Sequence, residues 1–367
     1  MKGLNEEIYL RECLEKAAGE VPLAIEEIKF LLEIENEEHL DLLFKAARES
    51  RCRHFGRKIF FYGFIYYSTW CRNNCTFCGY RISNQTVERY RKTTEEVVEI
   101  AVDLASSGVH LLDLTMGEDP QFYQSESNLL QIVELVRAIR KKVDLPLMIS
   151  PGVASKPLLS ALAREGVEWY ACYQETHNPN LYSRLRLNQD FDLRMNMKQF
   201  AYEIGFLIEE GLLVGVGESV ADIAHSLKVM GELNARQVRV MSFIPQAGTP
   251  RENDPTPHRS KELKIIAVMR LLYPNRLIPA SLDVDGIGGL KARLMAGANV
   301  VTSIIPPHSG LMGVSNSTLE VDEGCRTVER VSLDLIDLGL EAASIDDYRE
   351  VLSNYHRAIQ MIGVNKR

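Results

Sequence analysis

Cys71, Cys75 and Cys78 stand at Cys-x3-Cys-x2-Cys spacing in the stretch YYSTWCRNNCTFCGY, residues 66–80. Three thiolates so spaced can hold three irons of a [4Fe-4S] cube and leave one iron without a protein ligand, where a reactive cofactor can dock. The competing readings are a zinc site or chance spacing. A structural zinc site asks for four closed ligands, and the nearest further Cys or His, Cys52 and His54, lie well upstream of the loop.

A second set of residues carries charge into otherwise apolar stretches: Asp113, Glu175, Arg194, Arg239 and Asp283, with Ser281 beside the last. A buried charge is costly unless paired, so each needs an explanation. One reading is an internal salt-bridge network that satisfies Arg239 and the two aspartates. The other is a pocket for a zwitterion, with one guanidinium for a carboxylate and two carboxylates for ammonium groups. Ser150 and the Thr302-Ser303 pair could orient such a ligand, or bond the backbone at turns. Gly211-Leu-Leu-Val-Gly-Val-Gly217 is glycine-rich but lacks the order of a dinucleotide fingerprint. His177 and His308 read as ordinary loop residues, and Cys13, Cys52, Cys172 and Cys325 as reduced packing thiols.

The elements that must position these groups are legible as a series. Residues 1–57 are helical and amphipathic, with Ile25, Ile28, Leu31, Leu32, Leu40, Leu43, Phe44 and Ala47 at helical spacing. From Ile59 onward, eight short apolar runs alternate with helical periods: 59–67, 109–115, 147–150, 169–173, 212–216, 238–243, 277–281 and 299–304. One helix opens on the capping box Thr93-x-x-Glu96 and stops at Gly108. Eight βα units predict a (β/α)8 TIM barrel over 58–325, an N-terminal helical cap over 1–57, and a C-terminal helical extension over 326–367 packed on the barrel. In such barrels the chemistry sits at the C-terminal ends of the strands, and the cysteine loop follows the first strand.

A net charge of -8 with no Lys/Arg cluster argues against a nucleic-acid or anionic-membrane partner and for a small solute. Acidic residues near the N-terminus and an apolar run no longer than 59–67 predict a soluble, cytoplasmic protein with no membrane segment.

The cysteine motif after an aromatic strand resembles the radical S-adenosylmethionine (radical SAM) superfamily. The resemblance narrows to the branch of biotin synthase, the [FeFe]-hydrogenase maturase HydE and the methylornithine synthases. It is carried by Arg53-His-Phe-Gly56, Phe64-Ile-Tyr-x-Ser-Thr-x-Cys71, Asp113-Leu-Thr-Met-Gly-Glu-Asp-Pro120, Met148-Ile-Ser-Pro-Gly-Val153, Tyr173-Gln-Glu-Thr176, Val238-Arg-Val-Met241, Pro279-Ala-Ser-Leu-Asp283 and Ala296-Gly-Ala-Asn-x-Val-Thr-Ser303. Resemblance to the methylornithine synthases implies an isomerase of pyrrolysine biosynthesis. There a 5'-deoxyadenosyl radical takes hydrogen from L-lysine, and fragmentation and recombination give 3-methylornithine. It implies a [4Fe-4S] cluster on Cys71, Cys75 and Cys78, S-adenosyl-L-methionine at Tyr80, Tyr173, Glu175 and Arg194, and lysine at Asp113, Ser150, Arg239, Ser281, Asp283, Thr302 and Ser303. It also implies a reducing electron donor such as flavodoxin or ferredoxin. The run Cys78-Gly-Tyr-Arg81 is nearer the maturase pattern, which keeps open another radical SAM reaction on a small amino-acid or sulfur substrate.

Overall fold

The apolar run after residue 57 is buried along both faces, which is the signature of a parallel strand covered by helices rather than of an amphipathic one. In the computed structural model, which describes residues 2–313, 315 and 318–364, this run is strand β1 (Lys58–Ser68). Seven parallel strands join it: β2 (Leu111–Met116), β3 (Leu147–Ser150), β4 (Trp169–Ala171), β5 (Leu207–Val214), β6 (Gln237–Ser242), β7 (Pro279–Ser281) and β8 (Val300–Ile304). Their order is β6-β5-β4-β3-β2-β1-β8-β7, so neighbours in sequence are neighbours in space. The ring closes between β6 and β7 through one bridge, Gln237 to Leu277, with Val238 N donating to Leu277 O at 3.0 Å and Leu277 N to Arg236 O at 3.1 Å. The result is the expected (β/α)8 barrel, joined at its last seam by a single stitch.

The strands depart from the apolar runs by up to five residues, and charge is the cause in the largest case. β5 begins at Leu207, not at 212, because Glu209 and Glu210 interrupt the apolar pattern although both are fully buried. β4 ends at Ala171, after which the chain turns to place Glu175 at φ 68, a left-handed conformation unusual for a side-chain-bearing residue. β7 ends at Ser281, as the run does, and Asp283 lies just beyond it on the one-turn helix Leu282–Asp285, whose N-cap is the Ser281 hydroxyl.

The helices follow their end signals. Helix Thr94–Ser107 has the capping box of Thr93 and Glu96, and Gly108 ends it in the left-handed region at φ 94. At the N-terminus, α1 (Lys2–Ala18), α2 (Ile25–Glu33) and α3 (Glu37–Phe55) form the cap. The second and third bury Ile28, Leu31, Leu32, Leu43 and Ala47 against helices 220–232 and 259–272. From α3, Arg51 donates to the carbonyls of Leu294 and Ala298, satisfying the end of helix 290–295. The last helix, Ile345–Val364, covers the lower end of the barrel, where the Tyr348 and Tyr62 hydroxyls meet at 2.8 Å. Among the described residues no helix is long and apolar enough to cross a membrane.

Alternation along each strand sets the depth of the interior side chains. Thr115, Leu213 and Met241 line the cavity at the upper mouth. Two residues earlier on the same faces stand Asp113, Gly211 and Arg239, one layer deeper, and Glu209 lies below Gly211.

Candidate active site

Backbone contacts fix the cysteine loop before any ligand is considered. Arg72 N donates to Glu118 O, Thr76 N to Leu185 O and Ile82 N to Asn73 O, each at 2.8 Å. Arg89 clamps the loop from outside: its guanidinium donates to the carbonyls of Thr69, Tyr80, Arg81 and Asn84. Gly117 permits the approach of β2 to the loop, since a Cβ there would strike Trp70 O and stand 2.8 Å from Cys71 Cβ. The Gly117→Ala variant is therefore expected to displace the loop, and its iron content after anaerobic reconstitution should fall to less than about half that of the wild type.

The three thiols share one wall of the cavity. Burial pushes Cys71 up to about 11 and, with Cys75 and Cys71 adding repulsion, Cys78 up to about 12. Such thiols become thiolates when cationic iron compensates their charge. Nitrogen donors already face the sulfurs: Asn73 N to Cys71 Sγ at 3.4 Å, Gln189 Nε2 to Cys75 Sγ at 3.0 Å, and Arg186 NH1 to Cys75 Sγ at 3.6 Å. Among the described residues no three Cys, His, Asp or Glu side chains converge as a single-ion site would require. A cube, with its irons at separate corners, asks instead for thiols spread around it, and this donor set fits one.

Beside the thiols, the same cavity is lined by Tyr80, Ser150, Tyr173, Glu175 and Arg194 from the sequence reading. Tyr80 is buried, and its hydroxyl donates to the carbonyls of Met312 and Gly313, tying the cysteine loop to the connection that follows β8. Burial holds the Glu175 carboxyl above the ordinary range against the pull of Arg186, whose NH2 donates to Oε1 at 2.8 Å. Arg194 points into the site between Cys172 Sγ at 3.0 Å, Gln189 Oε1 at 2.9 Å and Glu118 at 3.5 Å. Cys172 is thus part of the cavity wall, not merely a packing thiol. The glycines of 211–217 are absent from that wall: a Cβ at Gly211 would meet Tyr173, and one at Gly215 would meet Pro257, so they serve packing.

The remaining predicted residues form a deeper layer. Ser150 Oγ donates to Asp113 Oδ1 at 2.8 Å and so links cavity to floor. Arg239 donates through Nε to Glu209 at 2.7 Å and through NH1 to Thr302 Oγ1 at 3.2 Å, while its NH2 has no hydrogen-bond partner among the described residues. Glu209 also accepts from Tyr173 Oη at 2.8 Å. Asp283 accepts from Tyr66 Oη at 2.6 Å and pairs with Arg326 at 2.6 Å. Ser303, at φ 66, lies 3.3 Å from both Tyr66 Oη and Ser281 Oγ. The salt-bridge reading holds with other partners than expected: Arg239 and Asp283 each have a buried counter-ion, but these are Glu209 and Arg326 rather than each other. Asp113 has none in contact, and burial, with Glu209 nearby, raises it to about 7 against the opposing pull of Ser150 and Arg239.

Glu209, Arg186, Gln189, Glu118 and Arg326 escaped the sequence reading. Only the position of Glu118, two residues beyond the last β2 residue, was a usable signal. His177 is another correction: it is buried and lies 3.7 Å from Glu210, behind β5, where Lys198 also pairs with that carboxylate.

Residues 65–230 match the family model described as the radical SAM superfamily. The chain is 43% identical over 326 residues to 3-methylornithine synthase of Methanosarcina barkeri, covering 89% of this chain and 92% of that protein. It is 32% identical over 294 residues to the [FeFe] hydrogenase maturase subunit HydE of Thermotoga maritima, covering 79% and 82%. The crystal structure of methylornithine synthase (PylB) superposes with a TM-score of 0.87 at 42% identity, over 92% of this chain and 99% of that one. Cysteine loop, barrel and relatives agree, and the chain belongs to the radical SAM superfamily, in the methylornithine synthase family.

Proposed function

We propose that this radical SAM enzyme is a mutase that converts L-lysine into 3-methylornithine, a step of pyrrolysine biosynthesis. The observation that carries the reading is the charge pattern of the deep layer. Arg239 is matched by Glu209 and Asp283 by Arg326, which leaves Asp113 without a cation in contact among the described residues. A ligand with two ammonium groups and one carboxylate, net +1, complements that layer, and lysine has this pattern.

In this reading Cys71, Cys75 and Cys78 hold a [4Fe-4S] cluster, and Glu175, Arg194, Tyr80 and Tyr173 surround S-adenosyl-L-methionine. When bound, these groups supply a 5'-deoxyadenosyl radical on one-electron reduction by a low-potential carrier such as flavodoxin or ferredoxin. The protein's own work is positional. The unpartnered NH2 of Arg239 meets the substrate carboxylate, with Thr302 steadying the guanidinium. Asp113 with Ser150, and Asp283 with Ser281 and Ser303, take the two amines. Fixed charges at both ends hold the carbon chain at a near-attack distance and retain charged fragments until they rejoin.

Anaerobically reconstituted protein, given dithionite, S-adenosylmethionine and lysine, is expected to yield an isomer of lysine of unchanged mass by chromatography and mass spectrometry. Release of 5'-deoxyadenosine that is independent of lysine, with no isomer, would overturn the assignment.

A further inference from the structure

We infer that Arg186 couples occupancy of the S-adenosylmethionine site to reduction of the cluster. The inference rests on the proposed placing of Glu175 and Arg194 around that ligand, with Glu175 taken here as the acceptor for its amino group. One buried guanidinium touches both sides. Its NH2 donates to Glu175 Oε1 at 2.8 Å and to Tyr173 O at 3.1 Å, while NH1 reaches Cys75 Sγ at 3.6 Å and Gln189 Oε1 at 3.5 Å. Gln189 continues the chain, donating to Cys75 Sγ at 3.0 Å and accepting from Arg194 at 2.9 Å. The cysteine and the two residues of the ligand clamp thus share one hydrogen-bonded group.

Glu175 does not move freely within this arrangement. Its left-handed backbone is pinned on both sides, its N–H donating to Gly211 O at 3.2 Å and its carbonyl accepting from Leu213 N at 3.0 Å. The preceding amide, Gln174 N, is held by Glu210 at 2.8 Å, and Glu210 is itself paired with buried Lys198. The carboxylate therefore stays in place, and what changes on ligand binding is how its charge is shared. Without ligand, Glu175 neutralises Arg186. An amino group donating to Glu175 draws on part of the carboxylate's charge, and more of the guanidinium's positive charge then acts on Cys75.

Buried charges act strongly at such distances, and cluster potentials respond to net charge and to hydrogen bonds at sulfur. Reduction adds one electron to the cube, from a low-potential carrier or from dithionite, and makes or breaks no bond in the protein. Added positive charge at Cys75 favours it. By linkage, a ligand that favours reduction is bound more tightly by the reduced protein by the same factor.

The test is a potentiometric titration of reconstituted protein followed by electron paramagnetic resonance, with and without S-adenosylhomocysteine. That probe keeps the amino and carboxylate groups but has no sulfonium to cleave. In the wild type the probe is expected to raise the one-electron reduction constant about tenfold, ~59 mV. Arg186→Gln should lose most of that shift while calorimetry still detects the probe on the oxidised protein. Arg186→Lys, which keeps the charge without the fork, should retain part of it. A full shift in Arg186→Gln, or no shift in wild type that binds the probe, overturns the coupling. Failure of the wild type to bind the probe instead sinks the functional reading, and undiminished binding by Glu175→Gln removes the premise about Glu175.

Discussion

Arg239→Met is expected to lower kcat/KM for lysine on the order of 10²- to 10³-fold and to destabilise the protein by about 3–5 kcal/mol. The two losses have different origins. On the proposed reading activity falls because the substrate carboxylate loses its donor, the NH2 that has no partner among the described residues. Stability falls because Glu209, with no exposed surface, is left buried without the guanidinium 2.7 Å away. The double variant Glu209→Gln/Arg239→Met separates them. It removes both charges, keeps an acceptor for Tyr173, and should recover most of the stability without recovering turnover. Chemical denaturation of the three proteins beside steady-state assays checks this. A double variant as unstable as the single one would mean that Glu209 is not the source of the cost.

Asp113→Asn should gain stability and lose function, and the gain should depend on pH. Burial, with Glu209 adding repulsion, raises the folded carboxyl to about 7 from an ordinary 3.8, so between those values the folded chain holds a proton that the unfolded chain has released. Stability contributed at this site therefore falls as pH rises from about 4 to 7, and above pH 7 the full penalty is present, at most about 4 kcal/mol. The asparagine carries no such penalty and still accepts from Ser150. The variant should match wild type near pH 4 and exceed it by a few kcal/mol at pH 8, while lysine turnover drops at least about 100-fold. Denaturant midpoints at the two pH values measure the first claim. A pH-independent difference would show that Asp113 is not the titrating group. The functional gain expected from an ionised, destabilising acid is attraction for an ammonium group, which restores the missing counter-charge.

Much of this arrangement was legible because it rests on local chemistry. The three cysteines are a short-range motif, and β1 announces itself by an unbroken apolar run. The capping box at Thr93 is complete within four residues. Asp113, Arg239 and Asp283 stood out as charges in apolar surroundings, and all three do face the interior. What escaped was pairwise. Glu209 and Glu210 sit side by side in a strand and look like a solvated turn, yet one is satisfied from β6 and the other from helix 191–203. Arg326 lies in a stretch assigned to an outer extension, and its partner is Asp283. Arg186 follows helix Pro179–Leu185, whose seven residues are too few for their apolar face of Leu181, Tyr182 and Leu185 to show as a period. A hydrophobic pattern records which residues avoid water and is silent about two opposite charges that do so together.

The seam between β6 and β7 has a mechanical consequence. Seven of the eight interstrand walls carry ladders, while this one holds at a single rung near its base, and Pro279 brings no N–H to it. The molecule is thus a rolled sheet whose two free margins meet at one point. Unrolling here breaks fewer backbone hydrogen bonds than at any other wall, and it would part Arg239, on one margin, from Ser281 on the other, widening the inner chamber along its length while leaving the cysteine loop after β1 in place.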